Sequence, residues 1–150
     1  MKIRFAKEDD LRSLLELYTF LNNNPLPVID ERIEEIWGRI LNASDQRIIV
    51  GICDNKVVST CVLMIIQNLT HKQEPYAIIE NVVTHVDYRG KGYGTMILDY
   101  AMNIALEEGC YKVSLMTGSK LESTLRFYEN SGYNRKDKTA FIKWFKEPIG

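Results

Sequence analysis

Three glycines at alternate positions, Gly90, Gly92 and Gly94, interleave with Lys91 and Tyr93 and follow Arg89, just ahead of a long amphipathic stretch. Glycine costs conformational entropy wherever it is ordered, so this spacing implies that backbone rather than side chains must face something there. A helix N-terminus leaves N–H groups unpaired and carries partial positive charge. A glycine-rich turn feeding such a terminus lets those groups converge on phosphate oxygens without obstruction from Cβ atoms. Arg89 and Lys91 add charge. The P-loop spacing GxxxxGK(S/T) is absent, and GxGxG is not the GxGxxG of a dinucleotide fingerprint. Taken alone, the hexapeptide reads equally well as a tight strand-to-helix turn.

A second chemical residue lies upstream. Glu80 interrupts the apolar run AIIENVV. A carboxylate inside a strand needs a partner or a task. The partner would be solvent or a neighbouring strand. The task would be that of a general base, able to relieve an alkylammonium of a proton held with a pKa near ~10.

These residues require a scaffold. KIRFA alternates as a short strand, and residues 7–22 carry leucines at helical spacing after an acidic first turn. NNNPLP breaks the chain, and Asp30 can cap a second helix to about Asn42 with Trp37 on its apolar face. QRIIVGICD and KVVSTCVLMIIQ meet at Asp54-Asn55, a hairpin signal, and YAIIENVVT is a fourth strand. A third helix runs from about Tyr93 to Glu108 and stops at Gly109. YKVSLMT is a fifth strand, residues 121–130 a fourth helix, and YNRK and TAFIKWF a closing pair of strands. The order β-α-α-β-β-β-α-β-α-β-β predicts one α+β (mixed α/β) domain over residues 1–150, with four helices on a mostly antiparallel sheet of about seven strands. The fourth and fifth strands, joined through a helix, should be parallel neighbours.

Apolar content of 45%, charged content of 26% and a net charge of −1 are those of a soluble globular chain with no field to attract nucleic acid or a membrane surface. The three cysteines form no CxxC pair, and two histidines assemble no zinc spacing, so no metal is expected and the thiols read as free. MKIRFAKEDD has no apolar signal core, and no run approaches the ~20 residues of a membrane span, so a cytoplasmic protein is expected.

Residues 80–98, ENVVTHVDYRGKGYGTMIL, resemble the acyl-CoA-binding core of the GNAT superfamily of N-acetyltransferases, whose (Q/R)xxGx(G/A) pattern they satisfy. TLRFYENSGY resembles that superfamily's second signature, a helical FYxxxG(F/Y), and the element order is similar over nearly the whole chain. The resemblance implies a V-shaped cleft between two splayed strands, with acetyl-CoA as co-substrate. The backbone of Val82, Val83 and Thr84 would pair with the pantetheine arm. The N–H groups of Gly90, Lys91, Gly92, Tyr93, Gly94 and Thr95, with the Arg89 side chain, would hold the pyrophosphate. Tyr128 stands where the family has a tyrosine that protonates the departing sulfur, and some members carry a glutamate at a position like that of Glu80, the candidate base. An N–H at Val82 or Val83 would polarise the carbonyl. Leu121 stands where the family often has asparagine, and Val86 where proline is usual.

The implied activity is direct acetyl transfer to a primary amine of a small molecule or peptide. The alternative is a module of the same fold that binds acyl-CoA without turnover; the joint presence of Glu80 and Tyr128 favours the enzyme. Homodimers are common among similar proteins. His85 reads as a structural residue of a polar turn, and Trp37 and Trp144 read as core.

Overall fold

The computed structural model describes residues 1–147. Five strands form one sheet in sequence order: β1 (Lys2–Phe5), β2 (Gln46–Cys53), β3 (Lys56–Ile66), β4 (Tyr76–Thr84) and β5 (Val113–Leu115). The first four are antiparallel in turn, and β5 lies parallel to β4. That parallel pair is joined by a crossover helix, α3 (Tyr93–Glu107), as its geometry requires. The remaining helices are α1 (Leu11–Tyr18), α2 (Glu31–Asn42) and α4 (Glu122–Asn130).

The near-continuous apolar runs of β2 and β3 follow from a sheet covered on both faces. Successive residues serve opposite sides: Ile48 and Val50 pack with Leu14, Leu17 and Trp37 of α1 and α2, whereas Ile49 packs with Ile97, Leu98 and Ala101 of α3. Local signals set the connections. Asp54 and Asn55 both adopt left-handed backbone (φ 49 and 61), the turn that matches hairpin twist. Asp30 Oδ1 accepts from the Ile33 N–H at 2.9 Å and caps α2, and Gly109 at φ 80 ends α3. Among the described residues, no helix is long and apolar enough to cross a membrane.

The first helix starts later than the leucine spacing predicts, after a separate 3₁₀ turn at Glu8–Asp10. The cause is Asp10. Its carboxylate takes a fork from Arg4 at 2.6 and 2.9 Å and the Lys7 N–H at 2.8 Å, which folds the chain back on β1. Burial pushes this carboxyl up, yet the Arg4 and Lys7 hydrogen bonds and charges outweigh it, and the net direction is down. An Asp10 pKa held below its unfolded value contributes stability above the unfolded pKa of ~3.9 and loses it as pH falls through the folded value. Asp10→Asn is therefore expected to cost about 2–3 kcal/mol at neutral pH. In urea titrations the gap to the parent should close as pH falls through the lowered folded value, because the parent carboxyl is then protonated too.

Two predicted strands are corrected. Residues 133–136 and 139–145 form no strand, and the described sheet has five strands rather than seven. Trp144, expected in the core, is 65% exposed, while Trp37 is buried as expected, its indole donating to the Glu8 carbonyl at 3.1 Å. The chain leaving α4 is held on that helix's outer side by Arg135, which pairs with Glu122 and Glu129 at 3.1 and 3.3 Å. A strand pattern becomes a strand only where it bonds an edge, and residues 136–147 pair with no strand of the described sheet.

Candidate active site

The cleft arises where two parallel strands stop pairing. β4 and β5 are in register only from Ala77–Val113 to Ile79–Leu115; β5 then ends, and β4 continues to Thr84 with that edge open. Within the open stretch β4 is bulged. Val62 of β3 opposes Glu80 and Thr60 opposes Val83, so β4 carries one extra residue, and Asn81 takes it up at φ 51.

A bulge swaps faces for everything beyond it. Ile79 packs on the α3 side, as does Val82, whereas Val83 joins the core under α1. Regular alternation would have sent Val82 to the α1 side and Val83 to the α3 side. The shift leaves Glu80 half-buried and Asn81 exposed at the kink. Glu80 opposes apolar Val62, and its carboxylate makes no ion pair among the described residues. Of the two readings open from the sequence, a partner on the neighbouring strand is absent.

Tyr128 belongs to the face of the sheet opposite to Val62, the strand partner of Glu80. It lies on α4 against the α3-side core, and its ring meets Tyr133 edge-on at 6.4 Å. The FYxxxG(F/Y) spacing has a mechanical basis here. Gly132 at φ 94 ends α4, the Gly132 and Tyr133 N–H groups return to the Glu129 and Tyr128 carbonyls at 3.0 and 3.1 Å, and the second aromatic closes over the first. Burial pushes the Tyr128 phenol above its ordinary value, with smaller contributions from Cys61 and the charge of Glu80.

The glycine turn sits at the far end of β4. Gly90 and Gly92 have φ of 75 and 79, a left-handed backbone that L side chains rarely adopt, and a Cβ on either would meet nothing within 4 Å. Gly94 serves differently: a Cβ there would lie 3.0 Å from Phe127 of α4 and 3.5 Å from the Thr84 hydroxyl. Two glycines turn the chain, and the third lets α3 lie close to α4. Gly92 caps α3 without a side-chain acceptor, and the first backbone N–H of that turn with a protein partner is that of Met96, which donates to Gly92 at 3.0 Å. Among the described residues, the backbone amides of residues 90–95 have no protein acceptor. Arg89 folds back beside them, its Nε donating to the Thr84 carbonyl at 3.0 Å, and the Lys91 ammonium stands over the Tyr88 ring at 5.2 Å.

Of the predicted residues, Glu80 lies at the bulge of β4, residues 89–95 lie beyond its end, and Tyr128 lies on α4 against the α3-side core. Val82, Val83 and Thr84 lie between Glu80 and residues 89–95, although the Thr84 carbonyl is already taken by Arg89. His85 is structural: its Nδ1 accepts from the Asp87 N–H at 3.1 Å and its ring packs on Phe20. Two residues escaped the sequence reading. Asn81 takes up the bulge, and Tyr18, at the end of α1, carries a buried hydroxyl that makes no well-formed hydrogen bond among the described residues, although the Asn81 side chain is near enough to influence it. Burial pushes the Tyr18 phenol up to about 12, opposed by a weaker influence from the nearby Asn81 side chain. Helical spacing had counted Tyr18 among apolar positions, and only its unpaired oxygen marks it out.

A mixed sheet splayed after the fourth strand, with a glycine-capped crossover helix at the strand's end, defines an acyl-CoA N-acyltransferase fold. Residues 9–133 match the Acetyltransferase (GNAT) family, and the chain belongs to it. It is 30% identical to the glucosamine 6-phosphate N-acetyltransferase of Trypanosoma brucei brucei, covering 92% of each chain. Among solved structures it is similar to a putative acetyltransferase from Agrobacterium tumefaciens (35% identity, TM-score 0.90, 96% of this chain and 100% of that one). It is also similar to the glucosamine-6-phosphate N-acetyltransferase of Arabidopsis thaliana (27% identity, TM-score 0.85, 97% and 98%). The chain is an acetyltransferase enzyme.

Proposed function

We propose that this enzyme transfers the acetyl group of acetyl-CoA directly to the primary amine of a small molecule, with glucosamine 6-phosphate the first acceptor to test. The observation that carries the reading is a half-buried carboxylate, Glu80, left without an ion pair among the described residues at a strand bulge beside the open edge of β4. The names of the relatives support a small amino sugar phosphate over a peptide.

Acetyl-CoA supplies a thioester, an acyl group already activated toward amines. The protein's part follows from the site. Unpaired amides of residues 90–95 and the cations of Arg89 and Lys91 suit a diphosphate. The open β4 edge around Val82 and Val83 suits an extended amide-bearing arm and offers an N–H to the acyl oxygen. Glu80 takes the proton of the ammonium, the nitrogen bonds to the acyl carbon, the carbon–sulfur bond breaks, and the second proton that the nitrogen sheds on becoming an amide passes to water. The sulfur leaves as a thiolate next to the Tyr128 hydroxyl.

A phenol raised above ~10 is a poor proton donor to a thiolate whose acid has a pKa near ~8.5, so Tyr128 contributes a hydrogen bond to the sulfur more than a completed transfer. Tyr128→Phe should accordingly lower kcat by roughly tenfold, less than the full range of acid catalysis, measured under conditions where chemistry limits turnover. The proposal itself is tested by thiol release from acetyl-CoA against a panel of glucosamine 6-phosphate, glucosamine, an aminoglycoside and a peptide N-terminus. Release with the phosphorylated sugar and little with the peptide is expected. Release only with the peptide would overturn the acceptor class, and no release with any amine would overturn the reaction.

A further inference from the structure

Among the described residues, the Tyr18 hydroxyl is the one buried side-chain polar atom that makes no well-formed hydrogen bond. Such an atom gives up water without replacement, which is costly, so its surroundings must supply a reason for it. Two groups are near enough to influence it. Cys61 is a buried thiol and a weak acceptor, whereas the Asn81 side chain offers a full acceptor and a donor. Asn81 is exposed, so its amide is free to turn toward the hydroxyl.

This contact falls on the strand that carries the site. Val62 and Glu80 are directly paired across β3 and β4, and directly paired residues project to one face. Val62 packs in the core under α1, as does Val83 beyond the bulge, and Tyr18 packs on that same core. Tyr18 therefore stands on the Glu80 face of the sheet, against the stretch where β4 takes its extra residue. Asn81 holds that residue at φ 51, and a left-handed backbone at a residue other than glycine persists only where its surroundings hold it. Without the bulge, every later residue of β4 would change faces, and the Val82 and Val83 N–H groups would change direction with them.

We propose that Tyr18 is a positioning residue for acetyl transfer: its hydroxyl donates to the Asn81 side-chain carbonyl, and this bond fixes the bulge of β4 and with it the direction of Glu80 and of the Val82 N–H. The inference deepens the reaction proposed above and rests on its placing the chemistry at the bulge. Tyr18 touches no reacting atom. Asn81 serves twice, since its backbone tolerates the left-handed region and its side chain gives the buried hydroxyl an acceptor. Were the backbone its whole contribution, glycine would serve as well.

The test uses the full chain. Tyr18→Phe removes the hydroxyl and keeps the ring, and Asn81→Gly removes the amide while keeping a residue at ease at positive φ. In ¹H–¹⁵N spectra the Asn81 side-chain NH₂ pair, assigned by its absence in Asn81→Gly, should move in Tyr18→Phe. A pair that stays in place would overturn the proposal, and this readout needs no acceptor. In thiol release with glucosamine 6-phosphate, each variant should lower kcat about tenfold while the KM for acetyl-CoA stays within about twofold. The double variant should be no slower than either single one, whereas independent roles would multiply to about a hundredfold. An unchanged kcat in Tyr18→Phe, a KM for acetyl-CoA that rises in step with the loss, or a multiplied loss would each overturn the proposal. Full activity in Glu80→Gln would overturn the base alone; the pairing of Tyr18 with Asn81 is decided by the spectra and the double variant.

Discussion

Glu80→Gln is expected to lower kcat/KM for the amine by about 10²–10³-fold at neutral pH while leaving the affinity for acetyl-CoA within about twofold. The substitution keeps size and shape and removes only basicity. Because the carboxylate has no ion-pair partner to abandon, stability should change by no more than ~0.5 kcal/mol. The decisive readout is the pH dependence of the ratio between parent and variant. A base that removes the ammonium proton matters less as solvent does the same work, so the deficit should shrink as pH rises toward the pKa of the acceptor amine. A deficit that stays constant across that range would mean that Glu80 orders the bulge or the acceptor, and the assignment of the base would move to a water relay.

The parts of this site that were legible in the sequence are those that require a rare backbone or a fixed spacing. Gly90 and Gly92 announced a left-handed turn because few other residues tolerate φ near 75–79, and the structure has it. The Tyr128–Gly132–Tyr133 spacing encodes a helix-ending turn that sets one aromatic edge-on against the other, and it too is local. The bulge at Asn81 was not legible. Asparagine is among the residues that accept a left-handed conformation, yet nothing in AIIENVV distinguishes a regular strand from one with an extra residue, since both faces are covered and alternation is hidden. What makes the bulge is the partner strand, where Thr60 and Val62 oppose residues three apart on β4. The closing strands failed for a related reason. TAFIKWF has the composition of a strand, but composition does not say whether an edge is there for it to bond, and in the described sheet it bonds none.

Gly92→Val should weaken acetyl-CoA binding by at least about tenfold, and the loss should depend on the diphosphate. A Cβ at Gly92 meets no atom within 4 Å, so the penalty is conformational: a β-branched residue at φ 79 carries a cost of about 1–2 kcal/mol and escapes it by rotating to negative φ. That rotation swings the following N–H groups off their common direction, which is the property on which anion binding at a helix start depends. Gly94→Val is the contrasting case. Its backbone is ordinary, and its added bulk would press on Phe127, 3.0 Å from the first new carbon, next to Tyr128. It should therefore reduce stability and kcat more than donor affinity. The two mechanisms separate with a truncated donor. With acetyl-pantetheine, which lacks the diphosphate, Gly92→Val should leave KM nearly unchanged, whereas with acetyl-CoA its KM should rise; Gly94→Val should impair both donors alike. Equal loss with both donors for Gly92→Val would mean that the turn only supports α3 and that the diphosphate is held elsewhere.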